Sequence, residues 1–199
     1  MNKRLFVALS FSNLAQDFEP WMKKIRKTAD HKEINLHWTP PQNFHVTLVF
    51  LGDTDESQIP EICRRIQTAV AAHPSFKVKI RGIDGFPVLN QARVLYLGVQ
   101  CNQAILDLQG ELENILKAPD KREPNFVPHL TVARLRNPKS CRDLVSPFTH
   151  IDLGKQDVSE ISLYSSVLRQ SQVIYEKIES FSLASPDRNE TGLDSVPVF

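Results

Sequence analysis

The chain has 199 residues, 41% of them hydrophobic, with 24 Lys and Arg against 23 Asp and Glu and a net charge of +1 at pH 7. That length supports one domain, or two small lobes sharing one core, and the charge balance, which by itself rules little in or out, shows no broad basic surcharge of the kind a non-specific nucleic-acid binder carries. Three scattered cysteines (Cys63, Cys101, Cys141) with no C-x-x-C exclude a disulfide framework or zinc knuckle and fit a reducing cytoplasm.

Met1-Asn2-Lys3-Arg4 followed by Leu5 to Leu9 briefly resembles a targeting segment. The apolar run is too short, and Ser10, Ser12 and Asn13 interrupt it, so it reads as a first strand, Leu5 to Ser10. No stretch of 18 apolar residues occurs, so no membrane span is expected. Asn13 to Ala29 reads as a helix, with Ser12 as its cap and Pro20 marking a kink or a late start. Phe44 to Leu51 reads as a strand closed by Gly52-Asp53. Asp55 to Ala72 is the next helix: Ile59, Ile62, Ile66 and Val70 recur at three- and four-residue steps, and Pro60 fits a first turn. Phe76 to Ile83 alternates apolar with Lys77, Lys79 and Arg81, the pattern of a half-buried strand, before Gly82, Gly85 and Pro87 break the run. Arg93 to Val99 is a strand and Gln103 to Leu116 a helix with one apolar side. His129 to Leu135 is a strand, and Val158 to Val167 with Val173 to Leu183 form a closing pair. Residues 1–184 are expected to form a single bilobal domain and residues 185–199 a mobile tail. Asn189-Glu190-Thr191 matches a glycosylation acceptor that a cytoplasmic protein would not use.

Within this frame two strings stand out: His45-Val46-Thr47-Leu48 and His129-Leu130-Thr131-Val132. On a strand, positions i and i+2 point to the same face, so each string sets an imidazole beside a hydroxyl. Chance placement of 6 His and 8 Thr gives about 0.24 His-x-Thr strings, and three occur. The third, His37-Trp38-Thr39, runs into Pro40-Pro41, where a strand must end, so it is set aside. A short echo supports two similar halves: Pro41-Gln42-Asn43-Phe44-His45 against Pro124-Asn125-Phe126-Val127-Pro128-His129, with the motif histidines 84 residues apart.

Two facing pairs of this kind suit a phosphodiester. Breaking one requires a proton taken from the nucleophile and one given to the leaving oxygen, and histidine does both near neutral pH. Thr47 and Thr131 hydroxyls can hold the non-bridging oxygens as charge develops on them. Arg134 is a natural phosphate clamp. Strict alternation puts it on the face opposite His129 and Thr131, unless twist or a bulge near the strand's end re-aims it; otherwise it is a surface arginine beside Asn137-Pro138.

These residues resemble the 2H phosphoesterase superfamily, defined by paired His-x-Thr-x motifs, and within it the RNA 2',3'-cyclic phosphodiesterases, also called LigT-like 2'-5' RNA ligases. The resemblance spans most of residues 3 to 183. It rests on Arg4-Leu5-Phe6-Val7-Ala8, Trp38-x-x-Pro41-x-Asn43-x-His45-x-Thr47-x-x-Phe50-Leu51-Gly52 and Gly85-Phe86-Pro87. It continues through Arg93-Val94-Leu95-Tyr96, Phe126-x-Pro128-His129-x-Thr131-x-Ala133-Arg134 and Leu163-Tyr164-x-Ser166. The chain departs from the pattern at Gln170-Ser171-Gln172, where a glycine is usual before the last tyrosine strand. The resemblance implies an α+β fold of two similar lobes, each an antiparallel sheet with flanking helices, around a central cleft. It implies opening of an RNA-terminal 2',3'-cyclic phosphate to a 2'-phosphate, and, run backwards, 2'-5' joining of RNA ends. His45 would be the proton donor to the leaving 3' oxygen and His129 the proton acceptor that activates water, with Thr47, Thr131 and Arg134 binding substrate. No metal and no cofactor are implied. RNA 3' ends or small nucleotides are the expected partners of a cytoplasmic monomer.

Three other readings stand beside this one. The enzyme acts instead on cyclic nucleotides, 2'-5' oligonucleotides or ADP-ribose cyclic phosphate; the protein binds RNA ends without turnover; or His37, His45 and His129 hold a metal, although no carboxylate or thiolate lies at a suitable spacing. For single residues the bland alternatives are a satisfied histidine on a half-polar sheet face and threonines chosen for β-propensity. Phe44, Val46, Leu48 and Leu130 read as core. His31, His37, His73 and His150 read as surface or loop residues, and His37→Ala is expected to be near neutral. Trp38 and Tyr96 read as packing or as base-stacking rings.

Overall fold

The computed structural model describes residues 1–100, 102–116, 126–169 and 172–185. Nine strands run in chain order: β1 (Asn2–Ser10), β2 (His37–Trp38), β3 (His45–Asp55), β4 (Phe76–Phe86), β5 (Ala92–Gln100), β6 (His129–Lys139), β7 (Asp152–Val158), β8 (Glu160–Arg169) and β9 (Gln172–Ser182). They form two sheets, a four-stranded sheet ordered β3-β1-β8-β9 and a five-stranded sheet ordered β2-β6-β5-β4-β7. Among the described residues every pairing between these strands is antiparallel, and an isolated parallel bridge joins Pro74 and Ala184. The helices are α1 (Ala15–His31), α2 (Ile59–Val70), α3 (Gln103–Leu116) and the single turn α4 (Arg142–Val145). The expected α+β fold of two antiparallel lobes is the one observed.

Helices cover the outer faces. Phe18, Met22, Ile25 and Ala29 bury one side of α1, and Ile105, Leu108 and Leu112 bury one side of α3. Each large side chain removed from water contributes about 1.5–3 kcal/mol. The lobes interlock: α3 follows β5 of the five-stranded sheet but packs against α2 and against β3 of the other. One continuous core therefore joins Leu5, Val7 and Leu9 of one sheet to Ile80, Leu95 and Leu130 of the other. Cys63 and Cys141 are free and buried within it, and burial pushes the Cys63 thiol up to about 12. Cys101 lies outside the described residues, as do residues 170–171 and the expected tail from 186 onward.

Several elements differ from the sequence reading. Gly52 and Gly82, read as stops, both have positive φ (71° and 69°) inside continuous strands. At each, the ladder slips by one residue: Leu5 pairs with Gly52 and Phe6 with Phe50, while Arg81 and Ile83 pair with consecutive residues of β5. The left-handed conformation glycine allows serves a bulge here, and the strand goes on. Val158 closes β7, a strand the sequence hides, because Asp152–Val158 is an edge strand with one buried residue. The first long helix starts at Ala15 and runs through Pro20, and Ser12 lies in a preceding turn that has no side-chain cap.

Candidate active site

The two motif strands meet where the sheets adjoin, with Cα atoms of β3 and β6 within 8 Å of each other. Their first seven residues, 45–51 and 129–135, share one burial pattern: the histidine and threonine half-buried, the next two residues both buried, the sixth exposed. Two consecutive buried residues break the period of two, and the ladder shows why. Ala8 pairs with Thr47 and Val7 with Val49, so Leu48 is an extra residue; Tyr96 pairs with Thr131 and Leu95 with Ala133, so Val132 is another. Each strand carries a one-residue bulge directly after its threonine. The bulge shifts the phase, and the sixth residue returns to the face of the histidine. Arg134 is thus re-aimed onto the face of His129 and Thr131, and Phe50 takes the equivalent place beside His45 and Thr47.

Both imidazoles are held alike. His45 Nδ1 lies 2.7 Å from the carbonyl oxygen of Asn43, and His129 Nδ1 lies 2.8 Å from that of Val127, two residues back in each case. A carbonyl only accepts, so each Nδ1 carries the hydrogen and donates it. Each neutral ring therefore keeps its lone pair on Nε2, directed away from its own backbone, where a proton can be taken or given. Aromatic rings fix the planes. Phe6 and Tyr175 flank His45 at centroid distances of 5.2 and 4.9 Å. Phe86 and Tyr96, stacked on each other at 4.3 Å, flank His129 at 4.9 and 5.4 Å.

Charge separates the two sides. Burial holds the His45 imidazolium below its ordinary value of 6.5; the Asn43 hydrogen bond opposes this, and the positive charges of Arg134 and His129 add to it. The positive charges of Arg134 and His129 thus reach His45 from the neighbouring motif strand. The Tyr96 phenol is raised by burial and then by the carboxylate of Asp84. On the four-stranded sheet the cleft face is aromatic: Phe6 stacks on Tyr164 at 5.3 Å and approaches Phe50 at 6.1 Å, and the Phe50 ring is 64% exposed. A shallow pocket beside His45 is lined by Phe6, Ser10, Asn43, Tyr164 and Tyr175.

Of the residues picked from the sequence, the structure brings the strands that carry His45 and Thr47 and that carry His129, Thr131 and Arg134 next to each other, while the pocket beside His45 is lined by none of the other four. The sequence reading gave no site role to Phe6, Phe50 or Tyr164, although all three stand in the strings that carry the resemblance, nor to Tyr175. Their signal was faint, because β1 is buried on both faces and its run Phe6-Val7-Ala8 shows no alternation. Phe44, Val46, Leu48 and Leu130 are core, at most 3% exposed. Trp38 packs against the core under the Arg26 guanidinium, His73 pairs with Glu111 at 2.8 Å, and His150 lies against Trp21. Among the described residues no group of three or more His, Cys, Asp or Glu is arranged to hold a metal ion, and no helix is long and apolar enough to cross a membrane.

A family profile described as the 2'-5' RNA ligase superfamily matches residues 14–169. The chain belongs to this superfamily. Among curated members, a protein of Methanothermobacter thermautotrophicus named RNA 2',3'-cyclic phosphodiesterase is 30% identical over 187 residues, covering 92% of this chain and 100% of the relative. A protein of Aquifex aeolicus with the same name is 32% identical over 81% of this chain and 88% of its own length, and one of Thermotoga maritima is 33% identical over 86% and 91%. Among solved structures, a Thermus thermophilus protein superposes with a TM-score of 0.74 at 23% identity, over 92% of this chain and 98% of its own. E. coli LigT complexed with 3'-AMP superposes at 0.73 and 20% identity, over 93% and 100%. At these identities the structures establish the superfamily fold of two antiparallel lobes.

Proposed function

We infer that the protein is an RNA 2',3'-cyclic phosphodiesterase that opens a terminal cyclic phosphate to a 2'-phosphate by two-histidine acid–base catalysis. The observation that carries this reading is the matched pair of imidazoles, each tied at Nδ1 to the carbonyl two residues back, which leaves the lone pair on Nε2, on two neighbouring strands. The names of the relatives support the substrate class.

In the proposed reaction the phosphorus sits between the two Nε2 atoms. His129 takes a proton from water, the water oxygen bonds to phosphorus, the bond to the 3' oxygen breaks, and His45 delivers its proton to that oxygen. The 2' oxygen keeps the phosphate. Thr47 and Thr131 donate to the non-bridging oxygens, and Arg134 opposes their negative charge. His45 is an acid whose pKa is held down by burial and, in smaller part, by the positive charges of Arg134 and His129. A bound phosphodiester monoanion offsets the field of Arg134, so binding itself raises that pKa and charges the acid when it is needed. Phe50 and the rings behind it offer the terminal nucleobase a stacking face that accepts any base. The reverse reaction, 2'-5' joining to a 5' hydroxyl, uses the same groups. The expected unit is a cytoplasmic monomer of residues 1–184 that requires no metal or cofactor.

The test is an RNA oligonucleotide ending in a 2',3'-cyclic phosphate, incubated with the protein in EDTA. Conversion to the 2'-phosphate is expected. A 3'-phosphate product would overturn the assignment of the leaving oxygen. No conversion by well-folded protein would overturn the substrate class.

A further inference from the structure

The third His-x-Thr string, set aside in the sequence, lies in the same sheet as the second motif. His37 begins β2, the edge strand beside β6, and pairs directly with Arg134, while Trp38 pairs with Ala133. Directly opposed residues of an antiparallel pair share a face, with Cβ atoms about 4.5–5.5 Å apart. Trp38 and Ala133 pack on the core, so His37 stands with Arg134 on the cleft face. The next residue of β6 on that face is Arg136, and both His37 and Arg136 are exposed. The nearby Lys139 ammonium is already engaged by the Glu33 carbonyl. No carboxylate among the described residues is paired with His37, Arg134 or Arg136.

We propose that His37 and Arg136, beside Arg134, form a subsite for the internal RNA phosphodiester one nucleotide upstream of the reacting end. Arg134 is the cation whose field reaches His45, and β2 lies one strand spacing, about 4.8 Å, further out. Because β2 is the sheet edge, no further strand among the described residues covers His37. An imidazole N–H donates to a phosphate oxygen in either charge state, and guanidinium forks add to it. Together these donors lead from the reacting phosphate toward solvent along one lobe, opposite the aromatic lobe that suits the base. A balanced net charge agrees with such local holding of one RNA end.

This subsite rests on the cyclic-phosphodiesterase reading, and the experiment separates the two. kcat and KM are measured for a mononucleoside 2',3'-cyclic phosphate and for a dinucleotide ending in the same cyclic nucleoside. The wild-type protein is expected to prefer the dinucleotide. His37→Ala reduces that preference about fivefold, the size of one exposed hydrogen bond, through the KM of the dinucleotide, and His37→Arg retains it. Arg136→Ala lowers the preference further and flattens its salt dependence. The subsite is overturned if the wild type shows no preference, if His37→Ala leaves the ratio unaltered, or if it weakens both substrates alike. If the wild type opens neither substrate, the functional reading fails and the subsite falls with it.

Discussion

Residues 45–51 and 129–135 repeat the same local construction: a histidine tied to the carbonyl two residues back, a threonine, a one-residue bulge, and an exposed sixth residue on the histidine's face. They differ in that sixth residue, Phe50 in one and Arg134 in the other. The rest of each cleft face follows the difference. Two rings flank each histidine, Phe6 and Tyr175 on one lobe and Phe86 and Tyr96 on the other; beyond these, one lobe adds Tyr164 stacked on Phe6, and the other adds a cation and, on its edge strand, His37. In the proposed reaction the repeat supplies two proton-transfer units. The difference gives the cleft a direction, with base-like surface on one side and phosphate-like contacts on the other.

The largest expected effect comes from removing the shared part. His45→Ala and His129→Ala should each lower kcat by about 10²–10⁴ while thermal unfolding stays near the wild-type midpoint. A satisfied sheet-face histidine would give the opposite result, losing stability and sparing turnover. Next comes Arg134→Ala, which should lower kcat/KM by roughly 10- to 150-fold, the range for a hydrogen bond to a charged group. It should also move the pH profile. His45 must hold a proton to act, so activity is lost as pH rises through its pKa. Arg134 lowers that pKa, so its removal shifts the alkaline limb of kcat/KM upward. The smallest effect is expected at Phe50: Phe50→Ala should raise KM about fivefold, the low end for a stacked base, and Phe50→Tyr should restore it. Equal losses at Phe50 with a substrate that lacks a base would remove the directional account.

The histidines and threonines were legible because spacing by two survives folding into a strand without modification. Arg134 was legible as a candidate but not in its direction, since neither Leu48 nor Val132 marks itself in the sequence as the extra residue of a bulge. Gly52 and Gly82 were misread for a related reason: the positive φ that suits a turn suits a bulge equally. The aromatic face stayed hidden because β1 is central, and its Phe6 and Ala8 are covered from the cleft side as fully as Leu5 and Val7 are from the core side. His37 looked remote from the motif because proline ends its strand after two residues, and two residues suffice to pair with Arg134.

The division of labour between the two lobes is tested most directly by the pH dependence of kcat/KM for the wild type, His45→Ala and His129→Ala on one cyclic-phosphate substrate. The account predicts a bell for the wild type, loss of the alkaline limb in the His45 variant and loss of the acid limb in the His129 variant. Both limbs surviving in either variant, or the two losses exchanged, would contradict it.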